Sequence, residues 1–134
     1  MVFLGFVAHE DLPDVYPCAD VFTIAGISEL QSIATLEAMA SGLPVVAADA
    51  MALPHLVEEG RNGYLYPPGD PAALAARVGS VVSEEAVRAR MGAHSRSMAS
   101  RHRLEDSLKR FEQIYHDVSV GSRTSGARVG TGRG

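Results

Sequence analysis

Short apolar runs alternate along this chain with stretches of helical spacing, and that alternation limits the fold more than any other feature. Residues 2–7 (VFLGFV), 20–26 (DVFTIAG), 44–48 (PVVAA) and 64–66 (YLY) are rich in β-branched and aromatic side chains. Such near-continuous apolar runs suit strands covered on both faces. Between them, HEDLPDVYPCA reads as a short helix with acids in its first turn. Residues 31–41 carry Ile33, Leu36 and Ala40 at helical spacing, and Gly42 with Pro44 stops that helix. LPHLVEEGRNG supplies a short helix and a turn. The pattern predicts an α/β fold, a Rossmann-like parallel sheet with helices on both faces.

The texture changes after Pro67. Asp70 is placed to cap a helix whose first residue is Pro71. Further helices are expected over 84–91 and 104–118, the second with Leu104, Leu108, Phe111, Ile114 and Tyr115 on one stripe. Residues 1–118 read as one incomplete domain. Residues 119–134, a Gly/Ser/Thr/Arg run, are expected to be disordered.

Composition removes several classes of function. Hydrophobic residues make up 46% and charged residues 21% of 134, as in soluble globular domains. The net charge is −4, but residues 119–134 hold three arginines and no acid, so the body carries 9 Lys and Arg against 16 Asp and Glu. An acidic body argues against nucleic-acid binding. Cys18 stands alone, which excludes an internal disulfide, and it is expected to be a small buried core residue. The opening MVFLGFVA has no basic flank and meets HED too soon for a signal peptide or a membrane span. A cytoplasmic location is expected. Membrane contact would be at most peripheral, at the inner face, through arginines 88, 90, 96, 101 and 103 on a solvated face. The histidines at 9, 55, 94, 102 and 116 lack metal-ligand spacing, so no metal site is expected. GxGxxG and GxxxxGK[ST] are absent, and Ser28 and Ser32 lack the glycines of a nucleophile elbow.

Parallel sheets of this kind bind ligands beyond the carboxyl ends of their strands. Of the segments leaving those ends, only AGISELQS has the chemistry of a site. The N–H groups of Ser32, Ile33 and Ala34 fall in the first helical turn, where no intrahelical acceptor exists and phosphate is favoured. Glu29 precedes that turn and Glu37 follows it, and carboxylates are natural acceptors for vicinal hydroxyls. Eight helical residues span ~12 Å, the scale of a sugar, a diphosphate and a ribose in line. On spacing alone a second reading stays open, in which Glu29 is an ordinary acid at a helix start and Glu37 an exposed helical one.

The string ELQSIATLEAMASGLPVVA, with Glu29 and Glu37 in an E-x7-E arrangement, resembles glycosyltransferase family 4, the group 1 retaining glycosyltransferases of the GT-B fold. VFLGFV followed by LPDVYPCADVF is similar to the family's strand and helix ahead of that motif, and LPHLVEEGRNGYLYPPGD to the segment after it. The likeness runs over residues 2–118. It implies a donor-binding, C-terminal part of a GT-B fold that takes a nucleoside-diphosphate sugar as substrate, with no cofactor and no required metal. Glu29 would contact hydroxyls of the donor sugar and help hold developing charge. Main chain from Gln31 through Ser32 and Ile33 to Ala34 would bind sugar and diphosphate, and Glu37 the ribose. Gly5, Phe6 and Val7 would lie against the nucleobase. Transfer would retain anomeric configuration.

The resemblance also implies parts that this sequence does not show. Family members carry an N-terminal acceptor domain, and the first strand and helix of the donor domain bring an Arg/Lys pair to the diphosphate. Here no Lys or Arg precedes Arg61. The chain is therefore expected to be inactive alone, and to work with a separately supplied N-terminal GT-B domain. A missing first strand would leave an unpaired sheet edge open to self-association. The other functional reading is a non-catalytic remnant that binds nucleotide weakly or serves as an interaction module. A receiver-like α/β domain would need an acidic cluster and a lysine at strand ends, and neither is present.

Overall fold

The structure is a computed structural model that describes residues 1–102 and 104–125. Its sheet has three parallel strands in the order β1 (Phe22–Ile24), β2 (Val45–Ala48), β3 (Gly63–Tyr66). Phe22 stands opposite Val45, and Val45 opposite Gly63. Ahead of the sheet lies α1 (Leu12–Val15), continued by a 3-10 turn over Tyr16–Cys18. Between β1 and β2 runs α2 (Ile33–Ala40), and a 3-10 turn at Leu53–His55 precedes β3. Then come α3 (Pro71–Val82), α4 (Glu85–Ala99) and α5 (Leu104–Ser125).

The central strand explains the layering. Val45, Val46, Ala47 and Ala48 are all fully buried, so both faces of β2 are covered. Around them Met39, Leu53, Leu56, Val57, Val81, Met91 and Met98 close the core. A parallel neighbour must come within a ladder's spacing of β2, and Gly63 permits it. A Cβ there would fall on the Val45 carbonyl oxygen. Asn62, buried beside this contact, accepts from the Glu58 N–H at 2.7 Å and donates to the Leu56 carbonyl at 2.9 Å. It thereby satisfies backbone groups of the turn before β3 from a fully buried side chain.

Helix ends follow local chemistry. Asp70 caps α3 by accepting from the Ala73 N–H at 2.9 Å, with Pro71 first in the helix as expected. At the C-terminus of α2, Leu43 N–H donates to Ala38 and Gly42 N–H to Met39, each at 3.0 Å. Gly42 has φ +84, which makes this a Schellman turn.

Three expectations need correction. Residues 2–7 form no strand, and Val2, Phe3 and Phe6 are exposed. An apolar run becomes a strand only where a neighbour offers a ladder, and no described strand pairs with this one. Cys18 is exposed rather than buried, its thiol donating to the Asp14 carbonyl at 3.3 Å. The arginines of α4 are not simply a solvated face. Arg88 pairs with Asp20 at 3.3 Å, and Arg96 donates to the carbonyls of Ala40 and Ser41.

The chain divides into two compact units, one ending at Ser100 and the other beginning at Arg101. In the second, α5 is helical to Ser125, beyond the 118 boundary, with Leu108, Phe111, Ile114 and Tyr115 on its exposed surface. The rest of the expected disordered tail, 126–134, lies outside the described residues. Among the described residues no helix is long and apolar enough to cross a membrane.

Candidate functional site

The loop from β1 to α2 leaves the carboxyl end of the sheet and carries the predicted residues. Gly26 is followed closely by the returning side chain of Glu29. A Cβ on Gly26 would stand 3.0 Å from Glu29 Oε1, so the absent side chain makes room for the carboxylate. The Glu29 carbonyl accepts from the Ala52 N–H at 3.1 Å, which ties this loop to the one that follows β2. Glu29, Leu30, Met51, Ala52 and His55 line a recess of about 350 Å³.

Ser32 begins α2 in a left-handed conformation, φ 43 and ψ 65. That region is costly for a residue with a side chain, and surrounding contacts must hold it there. One such contact is visible. The buried Ser32 hydroxyl pairs with the Thr35 hydroxyl at 2.7 Å and makes no capping bond to the helix. The Ser32 carbonyl receives the first intrahelical bonds, from Thr35 and Leu36 N–H. The N–H groups of Ile33 and Ala34 precede any helical acceptor. Gln31, Ile33 and Ala34 are all exposed around them.

Glu37 lies one to two turns on and faces a different recess, also of about 350 Å³, lined by His9, Leu12, Pro13, Tyr16, Glu37, Ala40 and Ser41. Tyr16 donates its hydroxyl to Glu37 Oε2 at 3.0 Å. Burial first, then that bond and the Glu37 charge, push the Tyr16 phenol up to about 12. Among the described residues neither Glu29 nor Glu37 forms an ion pair.

The structure thus sets Gln31, Ser32, Ile33 and Ala34 at one helix start, with Glu29 in a recess before it and Glu37 in a recess beyond it. It does not bring the two glutamates into one pocket. Gly5, Phe6 and Val7 line neither recess, Gly5 having φ +67 and Phe6 lying exposed. Sequence reasoning missed Tyr16, which belongs to no motif and meets Glu37 only through the fold. Its one signal was position, in a helix ahead of β1. Among the described residues no group of His, Cys, Asp and Glu is arranged to hold a metal.

The family model for group 1 glycosyl transferases matches residues 1–84. The chain belongs to that family. A D-inositol 3-phosphate glycosyltransferase of Corynebacterium kroppenstedtii is 36% identical over 132 residues, covering 93% of this chain and 29% of the relative. This group 1 family chain thus spans under a third of that relative's length. Sucrose-phosphate synthase from Thermosynechococcus elongatus superposes with TM-score 0.82 at 27% identity, covering 90% of this chain and 30% of its own. HepE of Anabaena, solved with UDP and glucose, gives TM-score 0.75 at 30% identity, with 89% and 32% covered. The C-terminal domain of LpcC, a group 1 family protein of Francisella tularensis, gives 0.67 at 28% identity, with 75% and 52% covered. The fold is accordingly part of the C-terminal domain of a GT-B glycosyltransferase.

Proposed function

We propose that this chain is the donor-binding portion of a retaining glycosyltransferase that moves a hexose from a nucleoside-diphosphate sugar. The observation that carries the reading is the start of α2, left without a side-chain cap because the Ser32 hydroxyl is engaged by Thr35, between two carboxylates in separate recesses. A helix start with free N–H groups favours a diphosphate, and carboxylates on either side favour the hydroxyls at its ends. Glu29 binds hydroxyls of the donor sugar and helps hold the charge that develops there. Main chain from Gln31 to Ala34 takes sugar and diphosphate, Glu37 takes the ribose, and Gly5 to Val7 lie against the base.

Family membership and the UDP-bound likeness of HepE support this donor class. In the proposal the leaving diphosphate is stabilised by oriented protein dipoles rather than by a resident metal. Departure and attack on one face of the sugar keep the anomeric configuration. In this reading the stretch supplies the donor site, and an N-terminal GT-B domain holds the acceptor.

Titration of the chain with UDP, GDP and ADP, by calorimetry or amide shifts, tests the reading beside Glu37→Ala. Saturable binding of one nucleotide, weakened by about tenfold or more in the variant, is the expected result for a lost charged hydrogen bond. Absence of binding up to millimolar concentration sinks it.

A further inference from the structure

Tyr16 is the residue the fold joins to Glu37, and its own position is set by the sheet. Its ring stands edge-on to Phe22, centroids 6.2 Å apart and planes at 61°. Phe22 in turn sits in β1 opposite Val45 of the buried central strand. Glu37, by contrast, leaves α2 on a flexible aliphatic stem. A carboxylate on such a stem loses side-chain entropy when a ligand fixes it, and prior fixing removes part of that cost. The recess around it offers Leu12, Pro13 and Ala40 as apolar wall, His9 and Ser41 as further polar lining and no Lys or Arg. Within it Tyr16 is the side chain hydrogen-bonded to the Glu37 carboxylate.

We propose that Tyr16 is a positioning residue for nucleotide binding, its hydroxyl holding Oε2 of Glu37 so that Oε1 is presented to a ribose hydroxyl of a nucleoside diphosphate. The inference rests on the ribose role of Glu37 proposed above. The phenol, pushed up to about 12, keeps its proton and stays a donor throughout the neutral range. Its action on the ligand passes entirely through the carboxylate. Removing the hydroxyl therefore affects only ligands that have a ribose hydroxyl to offer.

The test is calorimetric titration of the full chain with UDP, GDP and ADP and with their 2′,3′-dideoxy counterparts. Wild type, Tyr16→Phe, Glu37→Ala and the double variant are compared. Tyr16→Phe is expected to weaken the bound ribonucleotide by about fivefold to tenfold, and its dideoxy counterpart by no more than about twofold. The double variant should bind no more weakly than Glu37→Ala alone, because the two residues act on one contact. Loss of packing would weaken both ligands alike. An equal loss for both ligands, or no loss for either, overturns the positioning role while Glu37→Ala still shows a ribose-selective loss. If Glu37→Ala shows none, or wild type binds no nucleotide, the ribose reading falls and takes this inference with it. Tyr16→Met, which fills the space without a donor, repeats the comparison should circular dichroism show Tyr16→Phe unfolded.

Discussion

Gly63 shows how one missing methyl decides a sheet. Its neighbour across the ladder is Val45, whose carbonyl oxygen occupies the space a Cβ would need. Val45 is backbone of the most buried strand and cannot yield. Gly63→Ala should therefore cost roughly 3 kcal/mol or more, the range of overpacking at a rigid contact, read as a lower midpoint in urea. Tyr16 gives a prediction with a pH sign. Its folded pKa, about 12, lies above the ordinary 10.0, so the neutral phenol is favoured by the fold. The stabilisation from Tyr16 is then complete below pH 10.0 and is lost as pH rises through about 12. The difference in urea midpoint between wild type and Tyr16→Phe should shrink across that window. Wild-type phenolate absorbance should contain a component rising near about 12 that Tyr16→Phe lacks. A difference that stayed constant with pH would mean that the hydroxyl, free to ionise, contributes nothing through its proton.

At the scale of elements, α2 is held at both ends by different devices. Its start depends on the strained Ser32 and the Ser32–Thr35 pair, and its end on Gly42 and Arg96. Arg96 reaches from α4 to the Ser41 carbonyl at 2.9 Å and the Ala40 carbonyl at 3.4 Å, where a cation also meets the negative end of the helix. Arg96→Ala should cost about 1 kcal/mol. It should also raise hydrogen exchange at Gly42 and Leu43, whose amides close the turn. Unchanged exchange there would show that the Schellman bonds hold without the arginine. These elements also show what a sequence carries. The ends of α2 and α3 were legible because their signals are local: Gly42 and Pro44 for one, Asp70 and Pro71 for the other. Glu29 and Glu37 were legible as acids before and within a helix whose start the local sequence marks. Their separation into two recesses was not, because Glu29 lies in the loop and helical spacing does not fix where it turns. The strand at 2–7 was misread because apolarity describes a strand's faces and not its ladder. Tyr16 and Arg96 were illegible for a further reason. Each acts across a sequence gap, to Glu37 and to the end of α2, that only the folded chain closes.

Over the whole molecule, the question is what a three-stranded parallel sheet does with its edges. β1 has β2 on one side and no strand on the other among the described residues. Met1, Val2, Phe3, Leu4 and Phe6 form a run of exposed apolar side chains in the same chain. Open edges and apolar runs are where soluble domains associate, since each offers unmet hydrogen bonds or uncovered carbon to a second molecule. The body's excess of acid opposes that association only weakly, because at physiological salt its charges are screened beyond ~8 Å. The chain is therefore expected to associate as its concentration rises. Sedimentation velocity over roughly a hundredfold concentration range, spanning the micromolar affinities of modest interfaces, reads this directly. Replacing Phe3 and Phe6 by lysine removes the apolar run, adds two like charges and leaves the β2–β3 core untouched. If the run drives association, the double variant should stay monomeric at concentrations where wild type does not. Phe111→Lys on α5 serves as the comparison, since it charges the other exposed apolar stripe. Association abolished by Phe111→Lys and unaffected by the pair at 3 and 6 would assign the interface to α5. A wild-type monomer across the whole range would show that neither surface is sticky at the concentrations tested.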